Sequence, residues 1–206
     1  MFGEDIISKA LVGLPVLIFS LTVHEFSHAW SAYRFGDTTA RDLGRMTLNP
    51  LAHLDFMGVI VMVASQFTFG WAKPVPVNPM NLRNPRVADI WISAAGPISN
   101  LSIAFLAAMA VRMFNTPAST VPPLVFLFLD TAVWINVTLA VFNLIPLFPL
   151  DGSHILRNLL PESYGGTMDT IDRVAPFLLL MLLIFGVLWI IIGPIVVFIV
   201  QLFRGF

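Results

Sequence analysis

The residues of this chain best suited to chemistry are His24, Glu25 and His28, which stand together inside a hydrophobic run. Residues four apart on a helix lie on the same face, so the two imidazoles can bind one zinc ion. A glutamate beside the first histidine can act as a general base toward water at that ion. Ionisable side chains at membrane depth are costly and are usually functional. The alternative, a buried polar cluster on a structural helix, would leave the Glu25 carboxylate at a high energetic cost.

A catalytic zinc usually has three protein ligands and one open position, so a third ligand must come from elsewhere. The chain has no cysteine, and the candidates are His53, Asp55, Asp130, Asp151 and His154. Asp151 is favoured because two prolines, Pro146 and Pro149, end the preceding apolar stretch. Gly152 then frees the backbone next to the carboxylate. The alternative for Asp151 is an ordinary turn residue before glycine.

The elements that must position these groups are membrane-spanning helices. Of the 206 residues, 57% are hydrophobic and only 11% are charged, with a mean hydropathy of +0.86. Soluble domains carry about 25% charged residues. The apolar segments are residues 6–32, 56–72, 90–111, 124–150 and 174–203. We therefore expect an all-α polytopic membrane protein with about four to six transmembrane segments.

We expect a single domain over residues 1–206, with a catalytic core at about 6–160 and a C-terminal hydrophobic segment at 174–203. Gly186 or the Gly193-Pro194 pair could break that last segment. The formal net charge of −1 gives no reason to expect a nucleic-acid partner.

The second apolar segment does not fit an ordinary spanning helix. Residues 67–71 alternate large with small side chains, and Pro74, Pro76 and Pro79 follow at once. We interpret the segment as a short helix that enters the membrane, followed by a re-entrant extended or hairpin element near residues 67–78. Such backbone is tolerated at membrane depth where protein or a cavity surrounds it. An ordinary short span is the alternative.

The distribution of basic residues favours the returning path. If the second segment turns back, one face of the membrane holds eight of the eleven basic residues: Arg34, Arg41, Arg45, Lys73, Arg83, Arg86, Arg157 and Arg173. By the positive-inside rule that face is cytoplasmic. His24, His28 and Asp151 then meet near it, whereas a full span by residues 56–72 would place Asp151 on the opposite face.

The motifs of this chain resemble the site-2 protease family of intramembrane zinc metalloproteases, in its compact prokaryotic branch without a PDZ or cystathionine-synthase-type domain. The resemblance is carried by His24-Glu25-x-x-His28, by Gly96-Pro97-Ile98-Ser99-Asn100 and by residues 143–152, in that order, with support from residues 48–55 and 69–78. It implies that His24, His28 and Asp151 bind one Zn²⁺ and that Glu25 is the catalytic base. It also implies that Asn143 helps to hold the substrate or its oxyanion.

The resemblance further implies cleavage, by zinc-activated water, of transmembrane segments in single-span membrane proteins, which include anti-sigma-factor-like regulators. An unwound substrate could add as a strand to the extended element, so Phe69, Gly70 and Trp71 are candidate substrate contacts. We expect a multi-pass protein of a prokaryotic cytoplasmic membrane, with its site toward the cytoplasm. The alternative is a catalytically silent relative that binds membrane proteins, and the intact Glu25 argues against it.

Overall fold

The computed structural model describes residues 2–64, 70–114 and 120–205 of the chain. These residues form eight α-helices: α1 (Phe2–Arg34), α2 (Thr39–Asp42), α3 (Phe56–Ala64), α4 (Pro85–Phe114), α5 (Pro123–Asn143), α6 (Asp151–Leu159), α7 (Gly165–Ile184) and α8 (Val187–Gly205). Short 3₁₀ turns lie at Pro50–Ala52, Pro79–Asn81 and Glu162–Tyr164. Within these described ranges the β-structure is one isolated bridge, and the prediction of an all-α fold is confirmed.

Four helices are long and apolar enough to cross a membrane: α1 over Leu11–Arg34, α4, α5 and α8. They present large apolar side chains on their outer surface, such as Leu106, Leu124 and Ile190, which are 65%, 57% and 74% exposed. A surface of this kind is unfavourable in water and suits lipid chains. The chain is therefore a multi-pass membrane protein, as its composition predicts.

The helices α1, α4 and α5 pack against one another, and neighbours in sequence run in opposite directions. His28, late in α1, contacts Ile92, early in α4, whereas the earlier residue Ser20 contacts Asn100. Because α5 returns antiparallel to α4, the C-terminal ends of α1 and α5 lie at the same end of the bundle. We call this the site end.

The interior of the bundle is built from small and β-branched side chains. Small residues let transmembrane helices approach closely, so that dispersion contacts form along their length. In α4, α5 and α8 the buried cluster consists of Ala104, Ala107, Ala108, Val133, Val137, Val196 and Val200. At the far end of the bundle Arg204 of α8 pairs with Asp130 of α5, so these two helices are antiparallel.

The second apolar segment turns back, as the charge distribution predicts. Nine residues of its helix α3 are described, fewer than the roughly 20 that a membrane span needs. Ala72 forms an antiparallel bridge with Leu54, and the Lys73 N–H donates to the His53 carbonyl oxygen at 2.8 Å. The chain therefore returns to the point where α3 began. Residues 70–78 are extended or irregular, and residues 67–69 of the predicted element lie outside the described ranges.

The last apolar segment is divided into α7 and α8 at Gly186. This glycine has a φ of +68°, in the left-handed region that other residues avoid. Gly193 and Pro194, the other predicted break point, lie inside α8. Of the two helices as described, α8 qualifies as a membrane span and α7 does not.

The connection from α5 to α6 places Asp151. Helix α5 ends at Asn143, shortly before Pro146, and Asp151 is the first residue of α6. A Cβ atom added to Gly152 would lie 2.3 Å from the Leu144 carbonyl oxygen. Glycine is therefore required for this close approach, which fixes the start of α6 against the end of α5.

Candidate metal centre

The side chains of His24, His28 and Asp151 come together at the site end of the bundle. The two histidine Nε2 atoms are 3.0 Å apart. Asp151 places Oδ2 3.3 Å from His24 Nε2 and Oδ1 3.4 Å from His28 Nε2. Both histidines are buried, and the Asp151 side chain is 18% exposed. Three potential ligands from α1 and α6 thus face a single point.

Hydrogen bonds from Nδ1 determine how the two imidazoles are protonated. His24 Nδ1 donates to Asn100 Oδ1 at 2.6 Å, and His28 Nδ1 donates to the Ile92 carbonyl oxygen at 2.7 Å. Because these oxygens only accept, each neutral ring carries its proton on Nδ1 and a lone pair on Nε2. Two lone pairs and a carboxylate that face one another repel unless a cation lies between them.

The donor set fits zinc in chemistry and in spacing. Two ligand atoms about 2.0–2.1 Å from a tetrahedral zinc lie roughly 3.3 Å apart. The distances between the donor atoms are 3.0, 3.3 and 3.4 Å. Asp151 Oδ2 is buried without a hydrogen-bond donor in the part of the chain that the structure describes. Three protein ligands also leave the fourth position that a catalytic zinc needs.

Gly96 keeps the space between the histidines free. A Cβ atom on Gly96 would lie 2.5 Å from His28 Nε2 and 2.6 Å from His24 Nε2. Side-chain atoms do not approach so closely, and a methyl group there would occupy the point that the donor atoms face. The glycine of the second sequence motif is therefore a requirement of the site as well as of helix packing.

Glu25 follows His24 on α1 and is 9% exposed, and its carboxylate accepts a hydrogen bond from a backbone N–H. Its Oε2 accepts a hydrogen bond from the Val75 N–H at 3.0 Å. Val75 stands between Pro74 and Pro76, which have no N–H, so it carries the single backbone donor of this tripeptide. That donor is directed at the carboxylate.

The extended segment that carries Val75 is fastened at both ends. Arg45 Nη2 donates to the Lys73 carbonyl oxygen at 2.7 Å. At the other end, the Asn78 N–H donates to Asp37 Oδ2 at 2.7 Å. These contacts hold residues 73–78 against the site end of α1.

Asp37 is fully buried and is surrounded by donors. Its Oδ1 accepts from the Thr39 N–H at 3.0 Å, from Thr39 Oγ1 at 2.5 Å and from Asn81 Nδ2 at 2.9 Å. Burial alone would raise the pKa of Asp37, but these donors outweigh it and hold the pKa below its usual value. The carboxylate joins the loop after α1 to the segment before α4.

The predicted substrate contacts come from two parts of the chain. Asn143 is the last residue of α5, and its Nδ2 donates to the Leu139 carbonyl oxygen at 2.9 Å within the same helix. Gly70 and Trp71 belong to the segment that follows α3, and Phe69 lies outside the described residues. A Cβ atom on Gly58 would lie 2.1 Å from the Trp71 carbonyl oxygen, so α3 packs closely on this backbone.

The other candidate ligands have partners elsewhere. His53 donates from Nε2 to the Thr47 carbonyl oxygen at 2.8 Å. His154 lies 3.3 Å from Asp89, and the hydrogen bond with that carboxylate raises the pKa of the imidazole. Asp130 pairs with Arg204 at the far end of the bundle. Asp55 Oδ1 accepts a hydrogen bond from the Gly58 N–H at 2.8 Å, at the start of α3. The preference for Asp151 over these four agrees with its position beside the histidine pair.

The family of the chain follows from comparison with known proteins. The model of the family described as Peptidase family M50 matches residues 12–122 and 113–187, which is most of the chain. The chain belongs to peptidase family M50. This is the site-2 protease family, so the resemblance carried by the sequence motifs is confirmed. Zinc is the cofactor of these metalloproteases, and His24, His28 and Asp151 form a group able to hold it.

Relatives in this family come from bacteria and archaea. The "Putative zinc metalloprotease YwhC" of Bacillus subtilis is 40% identical over 174 residues, covering 78% of this chain and 78% of its own length. The "Putative zinc metalloprotease Rip2" of Mycolicibacterium smegmatis is 35% identical over 170 residues, covering 78% of this chain and 64% of its own length. The "Zinc metalloprotease MJ0392" of Methanocaldococcus jannaschii is 27% identical, and the match covers 85% of this chain and 43% of that protein. No solved structure matched the chain.

Sequence analysis did not single out Asn136 or the Val75 N–H. The signal for Asn136 is an amide in the middle of a mostly apolar helix, where an unpaired polar group is costly. The signal for Val75 is its place between two prolines, which leaves one donor where three are usual. Both signals are present in the sequence, but neither shows which residue is the hydrogen-bond partner.

Proposed function

We propose that this M50 protein is an intramembrane zinc metalloprotease that hydrolyses peptide bonds within transmembrane segments of other proteins. In this proposal His24, His28 and Asp151 hold the zinc and Glu25 is the general base. The observation that carries it is the convergence of two imidazole Nε2 atoms, 3.0 Å apart, and the two Asp151 carboxylate oxygens, each within 3.4 Å of one of them, at one end of a bundle of membrane-length helices. Membership of a zinc metalloprotease family supports the same conclusion.

The roles of the residues follow from their contacts. When bound, zinc would act as a Lewis acid toward the scissile carbonyl and lower the pKa of water at the site to about 7. Val75 holds Glu25 Oε2, so we assign proton transfer to Oε1. There Glu25 would take a proton from the attacking water and deliver it to the leaving nitrogen. His24 and His28, held through Nδ1, would keep their donor atoms in place during these steps.

The substrate must be extended at the point of cleavage, because a helix uses its own peptide carbonyls. We propose that an unwound transmembrane segment pairs with residues 70–78, which are extended or irregular and are joined to Glu25 through Val75. Gly70 and Trp71, with Phe69 before them, would contact the substrate on one side. Asn143, at the end of α5, would contact it on the other.

We place the site at the cytoplasmic face of a prokaryotic cell membrane. Arg45, Arg86 and Arg157 all make their contacts with segments at the site end, whereas Arg204 pairs at the far end. The excess of basic residues near the site matches the positive-inside rule. Water would then reach the site from the cytoplasm, and membrane-anchored regulators such as anti-sigma-factor-like proteins are suitable substrates.

The decisive experiment compares Glu25→Gln with the matched variant Glu162→Gln, which changes an exposed glutamate outside the site. Each would be co-expressed with candidate single-span membrane proteins, and the products mapped by mass spectrometry. We expect Glu25→Gln to keep its zinc and lose cleavage by about 10²–10⁴-fold, the usual contribution of a general base. Glu162→Gln should cleave as wild type does. Cleavage by Glu25→Gln at the wild-type rate would refute the mechanism. An undiminished cellular effect of the uncleaving variant would instead favour a silent binding protein.

A further inference from the structure

Two buried amides connect His24 to the centre of the bundle. Asn100 of α4 and Asn136 of α5 are both 0% exposed. Asn100 Oδ1 accepts from His24 Nδ1 at 2.6 Å, and Asn100 Nδ2 donates to Asn136 Oδ1 at 2.8 Å. At membrane depth no water replaces a lost partner, so amides of this kind are costly unless they are fully bonded.

The orientation of the Asn136 amide is fixed by groups that can only accept from it. Asn136 Nδ2 donates to the Ala132 carbonyl oxygen at 2.9 Å and to Ser20 Oγ at 2.8 Å. The Ser20 hydroxyl gives its own proton to the Val16 carbonyl oxygen at 2.7 Å, so it accepts from Asn136. Asn136 must therefore turn its amino group toward α1 and its own helix, and its Oδ1 toward Asn100.

The orientation of Asn136 determines that of Asn100. Because Asn136 Oδ1 only accepts, Asn100 turns Nδ2 toward it and leaves Oδ1 for His24. Asn100 Oδ1 in turn admits only a donor, so His24 carries its proton on Nδ1. A flipped Asn100 amide would place an N–H against Nδ1 and favour the tautomer with the proton on Nε2, where the metal ligand atom must be unprotonated.

We propose that Asn136 is a positioning residue for the metal centre, which it serves without touching metal or substrate. A chain of hydrogen bonds runs from the Ala132 carbonyl oxygen through Asn136 and Asn100 to His24. Each amide in it has one allowed orientation, and together they select the His24 tautomer that can bind zinc. This inference rests on the proposed zinc centre. It adds a residue on α5 to the determinants of metal affinity, so that three helices set the protonation of one ligand.

The test measures zinc affinity of the purified full-length protein in detergent by competition with a chromophoric chelator. Asn136→Leu removes both the donor and the acceptor while keeping the branched shape of the side chain, and we expect zinc affinity to fall about 10-fold, the low end for residues behind a ligand. Asn136→Asp in its neutral form still donates with its hydroxyl and accepts with its carbonyl, so it should stay within about 3-fold of wild type. Val137→Ala, at a fully buried neighbour outside the network, is the packing control and should leave affinity unchanged.

Three outcomes separate the possibilities. Weaker zinc binding by Asn136→Leu alone, with an altered visible spectrum of the Co²⁺-loaded protein, supports the proposal. Wild-type affinity in Asn136→Leu, or an equal loss in Val137→Ala, overturns it. If Asn136→Leu does not fold, Asn136→Ala takes its place: a loss of zinc affinity there that Val137→Ala does not share supports the proposal, and wild-type affinity overturns it. Asp151→Ala, measured alongside, tests the zinc centre itself: unchanged affinity there would refute the proposed function, independently of Asn136.

Discussion

Two carboxylates at the same end of the bundle, the buried Asp37 and the partly buried Asp151, have opposite surroundings. Asp37 accepts four hydrogen bonds from Thr39, Asn78 and Asn81, which satisfy its charge within the protein. Asp151 faces the lone pairs of two imidazoles, and its Oδ2 has no donor among the described residues. The first carboxylate is complete and fastens two segments together. The charge of the second carboxylate is balanced only when a cation binds beside it. Hydrogen-bond donors around an aspartate therefore indicate a structural role, and lone pairs around it indicate a metal ligand.

The largest expected effect comes from Asp151→Asn. The neutral amide replaces the anionic ligand. We expect zinc affinity to fall by at least about 100-fold, because the zinc loses a direct ligand and not merely a residue that orients a ligand. The melting temperature of the metal-free protein should not fall, since the amide removes a negative charge that faces two imidazole lone pairs. Chelator competition and thermal unfolding would measure the two quantities. Wild-type zinc affinity in this variant would remove the distinction between the two carboxylates.

Gly96→Ala should have the next largest effect. The added methyl group would lie 2.5 Å from His28 Nε2, so the imidazoles must move apart and zinc affinity should fall by about 10–100-fold. Gly193→Ala on α8 is the matched control, because nothing lies within 4 Å of its added Cβ. Equal zinc affinity in the two variants would show that the space beside the histidines is not needed.

Asp37→Asn should act on stability and not on metal. An amide nitrogen would face the donors that now bind Asp37, and the cost should be on the order of 3 kcal/mol. For a chain of this size that lowers the melting temperature by about 6–12 °C. Zinc affinity should stay within about 2-fold of wild type. A large loss of zinc binding with an unchanged melting temperature would reverse the roles assigned to the two carboxylates.

The smallest effect concerns pH. The pKa of Asp37 is lower in the folded protein than its usual value of 3.8, so its contribution to stability is complete above that pH. The contribution is lost as the pH falls further, through the lowered pKa of the folded state. Thermal unfolding of wild type should therefore show a steeper loss as the pH falls below about 4 than Asp37→Asn shows. Identical slopes for the two proteins would mean that the donors around Asp37 do not stabilise its charge.

The features that the sequence could predict depend on residues close together in the chain, or on prolines and glycines that end or bend a helix. The His24 and His28 spacing, the prolines before Asp151 and the glycine at 186 each act within a few residues. The turn back of residues 56–72 could also be predicted, because this apolar segment is short, is followed by three prolines and, if it turned back, would leave most basic residues on one face. Each of these features determines where a helix begins, ends or turns.

The contacts between helices could not be predicted in the same way. Helix α5 is apolar on nearly every face, so its periodicity does not show that Asn136 points inward toward Ser20 and Asn100. The Val75 contact with Glu25 joins residues 50 apart, and its geometry depends on where Arg45 and Asp37 hold the intervening loop. The start of α7 at Gly165 was also outside the predicted segment, which began at residue 174, because its first turns are polar.

The bond from Val75 to Glu25 affects how this protein tolerates mutation. Its donor is a peptide N–H, which nineteen of the twenty amino acids supply equally at position 75. An alanine scan would therefore pass over the position, and random variation there would look neutral. Proline is the exception, since it deletes the donor while keeping an extended backbone between two other prolines. A position that accepts almost every side chain can thus hold an essential atom, and a proline scan is the way to find it.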